Sequence, residues 1–209
     1  MKPIYLFDFD GTLVDSMPLF SSSLLRILYE NNIPHDPDVI ATVVPLGYRG
    51  AADHFKSLGI DLPIDAIVAR MQTLMLEAYA TSVPLKEKVG EALLALHAAG
   101  ADLNILTASP HAALDAALSR LGIFDLFTNV WSCEDFGTTK SDPAIYVSAA
   151  ERLGAAPSDV IFVDDNLTAI ETAKRAGMQT VGVYDEAAAD KAEALAATAD
   201  RYIRDFGEL

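Results

Sequence analysis

Residues 4–16 read Ile4-Tyr5-Leu6-Phe7-Asp8-Phe9-Asp10-Gly11-Thr12-Leu13-Val14-Asp15-Ser16. An apolar run of strand length leads directly into two carboxylates separated by a single residue. In a strand, alternate residues face the same way, so Asp8 and Asp10 share a side. Like charges held together in a half-buried place raise each other's pKa. The pair therefore calls for a cation beside it, or for one carboxyl that stays protonated. A polar turn capping a following helix accounts for Gly11, Asp15 and Ser16, but it leaves Asp8 with Asp10 unexplained.

Outward from this stretch, the patterning changes character twice. From Ser16 to about Ser82 the periodicity is helical, with segments near 17–31, 36–44, 49–58 and 64–81. Turn signals such as Asn31-Asn32-Ile33-Pro34 and Gly59-Ile60-Asp61-Leu62-Pro63 separate them. After Pro84, strands and helices alternate. A helix is expected near 86–99, ending at Gly100, then a strand over 102–106, a helix at 111–121 and a strand near 128–132. A helix at 143–153, the buried strand Val160-Ile161-Phe162-Val163, a helix at 166–176 and the strand Thr180-Val181-Gly182-Val183 follow, and a terminal helix near 187–199 and a short strand close the chain. Such alternation implies a parallel sheet with helices on both faces. Residues 4–7 belong to that sheet, so the helical block is an insertion. The expected architecture is an α/β, Rossmann-like core formed by residues 1–15 and 84–209, carrying an all-helical cap over 16–83.

Composition bounds the function. The chain has 209 residues, 51% of them hydrophobic, enough for a substantial core. No apolar run reaches the roughly 18 residues that cross a bilayer, and the N-terminus lacks a signal-peptide shape. The single cysteine, Cys133, excludes an internal disulfide framework and fits a reducing cytoplasmic setting. A net charge of −15 argues against nucleic acid or an anionic membrane as partner. It leaves room for a small anionic substrate, which needs only local cations.

In open parallel sheets, ligands bind beyond the carboxyl ends of the strands. Past strand 4–7 come Asp8 and Asp10; past 102–106, Thr107, Ala108 and Ser109; past 160–163, Asp164 and Asp165; and Lys140 lies in the loop after 128–132. Carboxylates, a hydroxyl and an ammonium thus gather at one end of the sheet. The run Gly137-Thr138-Thr139-Lys140-Ser141 is not a P-loop, because Thr139 stands where a glycine must precede the lysine. His35, His54, His97 and His111 share no metal-ligand spacing.

The set Asp8-Phe9-Asp10-Gly11-Thr12-Leu13-Val14-Asp15, Thr107, Lys140 and Asp164-Asp165 resembles the motifs of the haloacid dehalogenase-like superfamily, in order and over almost the whole chain. The helical insertion matches that family's C1-type cap, and the phosphoglycolate phosphatase and β-phosphoglucomutase branch is the most similar. The resemblance implies that Asp8 is a nucleophile forming an aspartyl phosphate and that Asp10 is the general acid and base. It further implies Mg²⁺ held by Asp8, the main-chain carbonyl of Asp10 and Asp165, with Asp164 supporting the ligands from behind. Thr107, the Ala108 amide, Gly11 and Lys140 would bind the phosphoryl group. In the insertion, Leu46-Gly47-Tyr48-Arg49-Gly50 is the stretch for substrate contact, with Arg49 gripping an anionic group.

One departure stands out: many members carry a second acid four residues after the fourth motif's aspartate, and here that residue is Ala169. The expected activity is Mg²⁺-dependent hydrolysis of a small phosphorylated metabolite by a monomer or weak dimer. Asp10 argues against a dehalogenase. A phosphonate hydrolase would need a Schiff-base lysine from the cap, where Lys56 is the only lysine and lies on a polar-looking helix face. A phosphosugar mutase is the alternative, but its assisting cap histidine is absent from Met17-Pro18-Leu19-Phe20. A non-catalytic binding module would have no use for Asp8, Asp10, Thr107, Lys140 and Asp165 together.

Overall fold

The computed structural model describes residues 2–209. The chain divides into two compact units, residues 1–15 with 84–209, and residues 16–83.

The first unit is built on a parallel sheet. Its strands are β1 (Ile4–Phe7), β2 (Asp102–Thr107), β3 (Asn129–Ser132), β4 (Val160–Asp164), β5 (Gln179–Val183) and β6 (Arg201–Ile203). Their order is β3-β2-β1-β4-β5-β6, every neighbouring pair parallel. Helices α5 (Val89–Ala98), α6 (His111–Leu121), α7 (Pro143–Arg152), α8 (Leu167–Arg175) and α9 (Ala192–Thr198) connect them. The central strands are covered on both faces, which is why they read as unbroken apolar runs. Leu6, Phe7, Ile105, Leu106, Phe162 and Val163 are fully buried, each such side chain contributing about 1.5–3 kcal/mol of burial. The order reverses at β1, with successive crossovers leaving it to either side. That switch point lies between β1 and β4, the position at which open parallel sheets generally take their ligands.

The second unit is helical: α1 (Met17–Glu30), α2 (Val39–Val43), α3 (Gly47–Ser57) and α4 (Ile64–Thr81). Leu24, Ile27, Leu28, Phe55, Ile67 and Met71 form its core. On its surface Arg70 donates two hydrogen bonds to the Glu30 carboxylate, at 2.6 and 3.0 Å.

Three boundaries differ from the sequence expectation for local reasons. Residues 36–38 do not join α2, because Pro37 disfavours helical geometry at Asp36 and the Asp36 carboxylate instead accepts the Asp38 N–H at 2.8 Å. Residues 86–88 do not join α5. Leu85 pairs with Val14 in an antiparallel bridge, the Lys86 N–H donates to Leu13 O at 3.0 Å, and Lys88 takes a left-handed φ of 63°. Residues 186–191 form a 3-10 turn with a kink at Ala188 before α9 begins.

Candidate active site

The site is set by strand register. Phe7 pairs with Val163 across β1 and β4, and the Asp8 N–H donates to Val163 O at 2.8 Å. The next residue on each strand is therefore an aspartate, Asp8 beside Asp164, both buried. One carboxylate oxygen from each of Asp8, Asp164 and Asp165 lies within 4.8 Å of the others.

Lys140 enters this cluster from the loop after β3. Its ammonium donates to Asp8 Oδ1 and, at 2.8 Å, to Asp164 Oδ2, and it stands 5.6 Å from the centre of the Phe162 ring. Two supports aim it. Asp142 caps α7 by accepting the Ala144 N–H at 2.9 Å, which fixes where the loop ends. The buried Tyr146 hydroxyl lies 3.0 Å from Lys140 O and 3.2 Å from Ala169 O.

The remaining carboxylates are each held. Asp164 Oδ1 accepts the Asn166 N–H at 2.7 Å, so both of its oxygens are engaged. The Thr12 hydroxyl donates to Asp165 Oδ1 at 2.8 Å while accepting the Asp165 N–H at 3.0 Å. Ser109 donates its hydroxyl to Asp10 Oδ2 at 2.5 Å, linking the ends of β1 and β2. The buried Thr107 hydroxyl accepts the Ser109 N–H at 3.2 Å, and Ala108 between them is exposed. Gly11 has a φ of +78°, and a Cβ there would meet the Asp165 carboxylate at 2.6 Å, so only glycine allows the approach.

Electrostatically the cluster is acid-rich. Burial pushes the Asp8 carboxyl up to about 7; Lys140 pulls it down, while the Asp164 and Asp10 charges add to the rise. Burial also raises Asp165 well above the usual carboxylate range, reinforced by Asp164 and Asp8 and opposed by the Thr12 hydrogen bond. Burial alone would lower Lys140, but the charges of Asp164 and Asp8 outweigh it and hold the ammonium protonated. The acids are thus only partly neutralised by Lys140. A hard divalent cation, which prefers oxygen donors, fits this donor set.

A model of the haloacid dehalogenase-like hydrolases matches residues 3–177. The chain belongs to this family. As a haloacid dehalogenase-like hydrolase it is an enzyme. Along 100% of its length it is 30% identical to the validoxylamine A 7′-phosphate phosphatase of Streptomyces hygroscopicus subsp. limoneus, covering 96% of that protein. It is 27% identical to the phosphoglycolate phosphatase of Pseudomonas putida, over 86% of this chain and 68% of that one. Among solved structures, the magnesium-bound HAD hydrolase YfnB of Bacillus subtilis superposes with a TM-score of 0.84 at 19% identity, covering 100% of this chain and 97% of that chain. That likeness bears on the fold, the parallel HAD-like sheet described above.

Of the residues singled out in the sequence, Asp8, Asp10, Gly11, Thr107, Ala108, Lys140, Asp164 and Asp165 all lie in the first unit. The hydrogen bonds above tie Asp8, Lys140 and Asp164 into one group. Arg49 belongs to the helical unit, at the start of α3, where its guanidinium donates to Asp65 at 3.0 Å and its side chain is 73% exposed. The sequence reading gave no role to Ser109, Tyr146 or Lys86. Ser109 was within reach of it, lying two residues past Thr107 at a strand end; the other two carry no local signature.

Proposed function

We propose that this hydrolase is a Mg²⁺-dependent phosphatase acting on a small phosphomonoester through a phosphorylated Asp8. The observation that carries the reading is the contact of buried Asp8 with Lys140 at the switch point of the sheet, beside Asp164 and Asp165. Asp8 and Asp165 would hold the metal with the Asp10 main-chain carbonyl. The engagement of both Asp164 oxygens supports its role as an orienting group behind them. Mg²⁺ held there would supply positive charge, letting the carboxylates stay ionised together and polarising the phosphoryl group.

The chain's own groups account for the rest. In the first step an Asp8 carboxylate oxygen bonds to phosphorus as the bond to the leaving oxygen breaks, and Asp10 gives that oxygen a proton. In the second, Asp10 takes a proton from a water that attacks phosphorus, and the bond from phosphorus to Asp8 breaks. Ser109 holds the Asp10 carboxylate in place for both transfers. Lys140, with the Thr107 hydroxyl and the Ala108 N–H, would face the phosphoryl oxygens and stabilise charge that grows there.

The relatives named above act on phosphorylated small molecules, which supports a phosphomonoester over a halogenated acid. The test is phosphate release from a panel of small phosphomonoesters with and without Mg²⁺. Metal-dependent release that falls by several orders of magnitude in Asp8→Asn is expected. Release that persists in Asp8→Asn, or without any metal, would refute the mechanism.

A further inference from the structure

Lys86 makes an arrangement the mechanism above does not use. Its ammonium donates to Gly11 O at 2.6 Å, to Tyr184 O at 2.7 Å and to Asp185 Oδ2 at 2.9 Å. A lysine ammonium has three N–H donors and no acceptor, and here each donor meets an oxygen. The side chain is 18% exposed and that of Asp185 only 6%. Asp185 is itself fixed, its other oxygen accepting the Ala187 N–H at 2.8 Å. The clamp thus joins the acid-bearing loop after β1 to the segment just past β5, whose backbone runs on into the sheet.

The loop it grips has little freedom elsewhere. Gly11 donates its N–H to Val14 O at 2.9 Å, and its α-carbon lies against Asp165, as the 2.6 Å clash of an added Cβ shows. A shift of the Gly11 carbonyl therefore moves the Asp10 main chain and the face of Asp165 together. These are two of the groups assigned to the metal. Mg²⁺ demands near-octahedral geometry at about 2.0–2.1 Å and tolerates such shifts poorly.

We propose that Lys86 is a positioning residue that sets the Mg²⁺ site by holding the Gly11 carbonyl against the end of β5. The inference rests on reading the site as a Mg²⁺ phosphatase centre. Charge and position predict opposite signs. Removing the ammonium leaves Asp185 uncompensated, and a more negative surrounding would by Coulomb attraction strengthen cation binding. Loosening the loop would weaken it.

Calorimetric titration with MgCl₂ alone, on the wild type, Lys86→Met, Asp185→Asn and the double variant, separates the two. Lys86→Met is expected to raise the Mg²⁺ Kd by about 10- to 100-fold, the range for groups that orient metal ligands. The double variant should stay equally weak, because removing the Asp185 charge does not restore the clamp. At saturating Mg²⁺ the substrate KM should change less than kcat. Equal or tighter Mg²⁺ binding in Lys86→Met, or recovery in the double variant, would overturn the proposal. Should Lys86→Met fail to fold, Lys86→Arg keeps the charge but cannot send three bonds from one nitrogen. A wild-type Kd in that variant would overturn the proposal as well. A wild type that neither binds Mg²⁺ nor releases phosphate would refute the phosphatase reading itself, and this inference with it.

Discussion

At Gly11 the main chain passes so close to the Asp165 carboxylate that a methyl group would overlap it, in a conformation with φ of +78°. Two penalties coincide for Gly11→Ala, the left-handed strain of about 1–2 kcal/mol and the displacement of a carboxylate assigned to the metal. The variant should unfold at a lower temperature and lose at least about tenfold in activity; thermal melts and phosphate release check both, and an unimpaired enzyme would show that the approach has no function. Asp8 and Asp10 were legible because acids directly after an apolar strand have no structural use. Lys86 was not. In Leu85-Lys86-Glu87-Lys88 it looks like the solvated start of a helix, and its acceptors come from residues 11, 184 and 185, far away in sequence.

Among the elements, α7 carries more than its packing. Tyr146 on this helix is fully buried, and its hydroxyl lies within hydrogen-bond distance of the carbonyl of Lys140 and that of Ala169 in α8. Tyr146→Phe leaves those carbonyls short of a donor, which should cost about 1–3 kcal/mol and lower kcat as the lysine loses its aim. Denaturant unfolding and steady-state kinetics on one preparation test this; a variant losing stability with kcat intact would confine Tyr146 to packing. A second link joins α8 to the far edge of the sheet. The Asp200 carboxylate accepts from Lys174 at 2.8 Å and from the Thr180 N–H and hydroxyl, each at 2.9 Å. The Lys174 hydrogen bond holds Asp200 below its ordinary value of 3.8, burial working against it and Thr180 with it. A folded value below the unfolded one means the stabilisation is complete above the ordinary value and is lost as pH falls through the folded one. Wild type should therefore melt above Asp200→Asn near neutral pH, and the gap should close as the pH falls below the ordinary carboxylate value. A gap that persists in acid would deny the linkage. Strands buried on both faces were readable from their apolar runs. The start of α5 was not, because Lys86 is drawn into a backbone bond with Leu13 that no helical periodicity announces.

For the whole molecule, the sheet order explains why residues from remote parts of the chain meet. β1 and β4 are neighbours in register although some 150 residues separate them, and a sequence of alternating strands and helices does not state that order. The alternation did reveal the parallel sheet and the helical block as separate patterns. Among the described residues, no helix is long and apolar enough to cross a membrane, and the chain carries a net charge of −15. The anionic substrate proposed above would therefore have to be drawn by local cations, Lys140 and the proposed metal, against the overall field. On the mechanism proposed above, the phosphoryl group passes through Asp8. The most direct test of that step is acid-quenched peptide mass spectrometry of Asp10→Asn after mixing with Mg²⁺ and an aryl phosphate, whose leaving oxygen departs without needing a proton from Asp10. That variant should accumulate a phosphoryl group on the peptide containing Asp8, because the group assigned to activate water is gone. Steady phosphate release with Asp8 never phosphorylated, and with Asp8→Asn still active, would rule out a phosphorylated Asp8 as the intermediate.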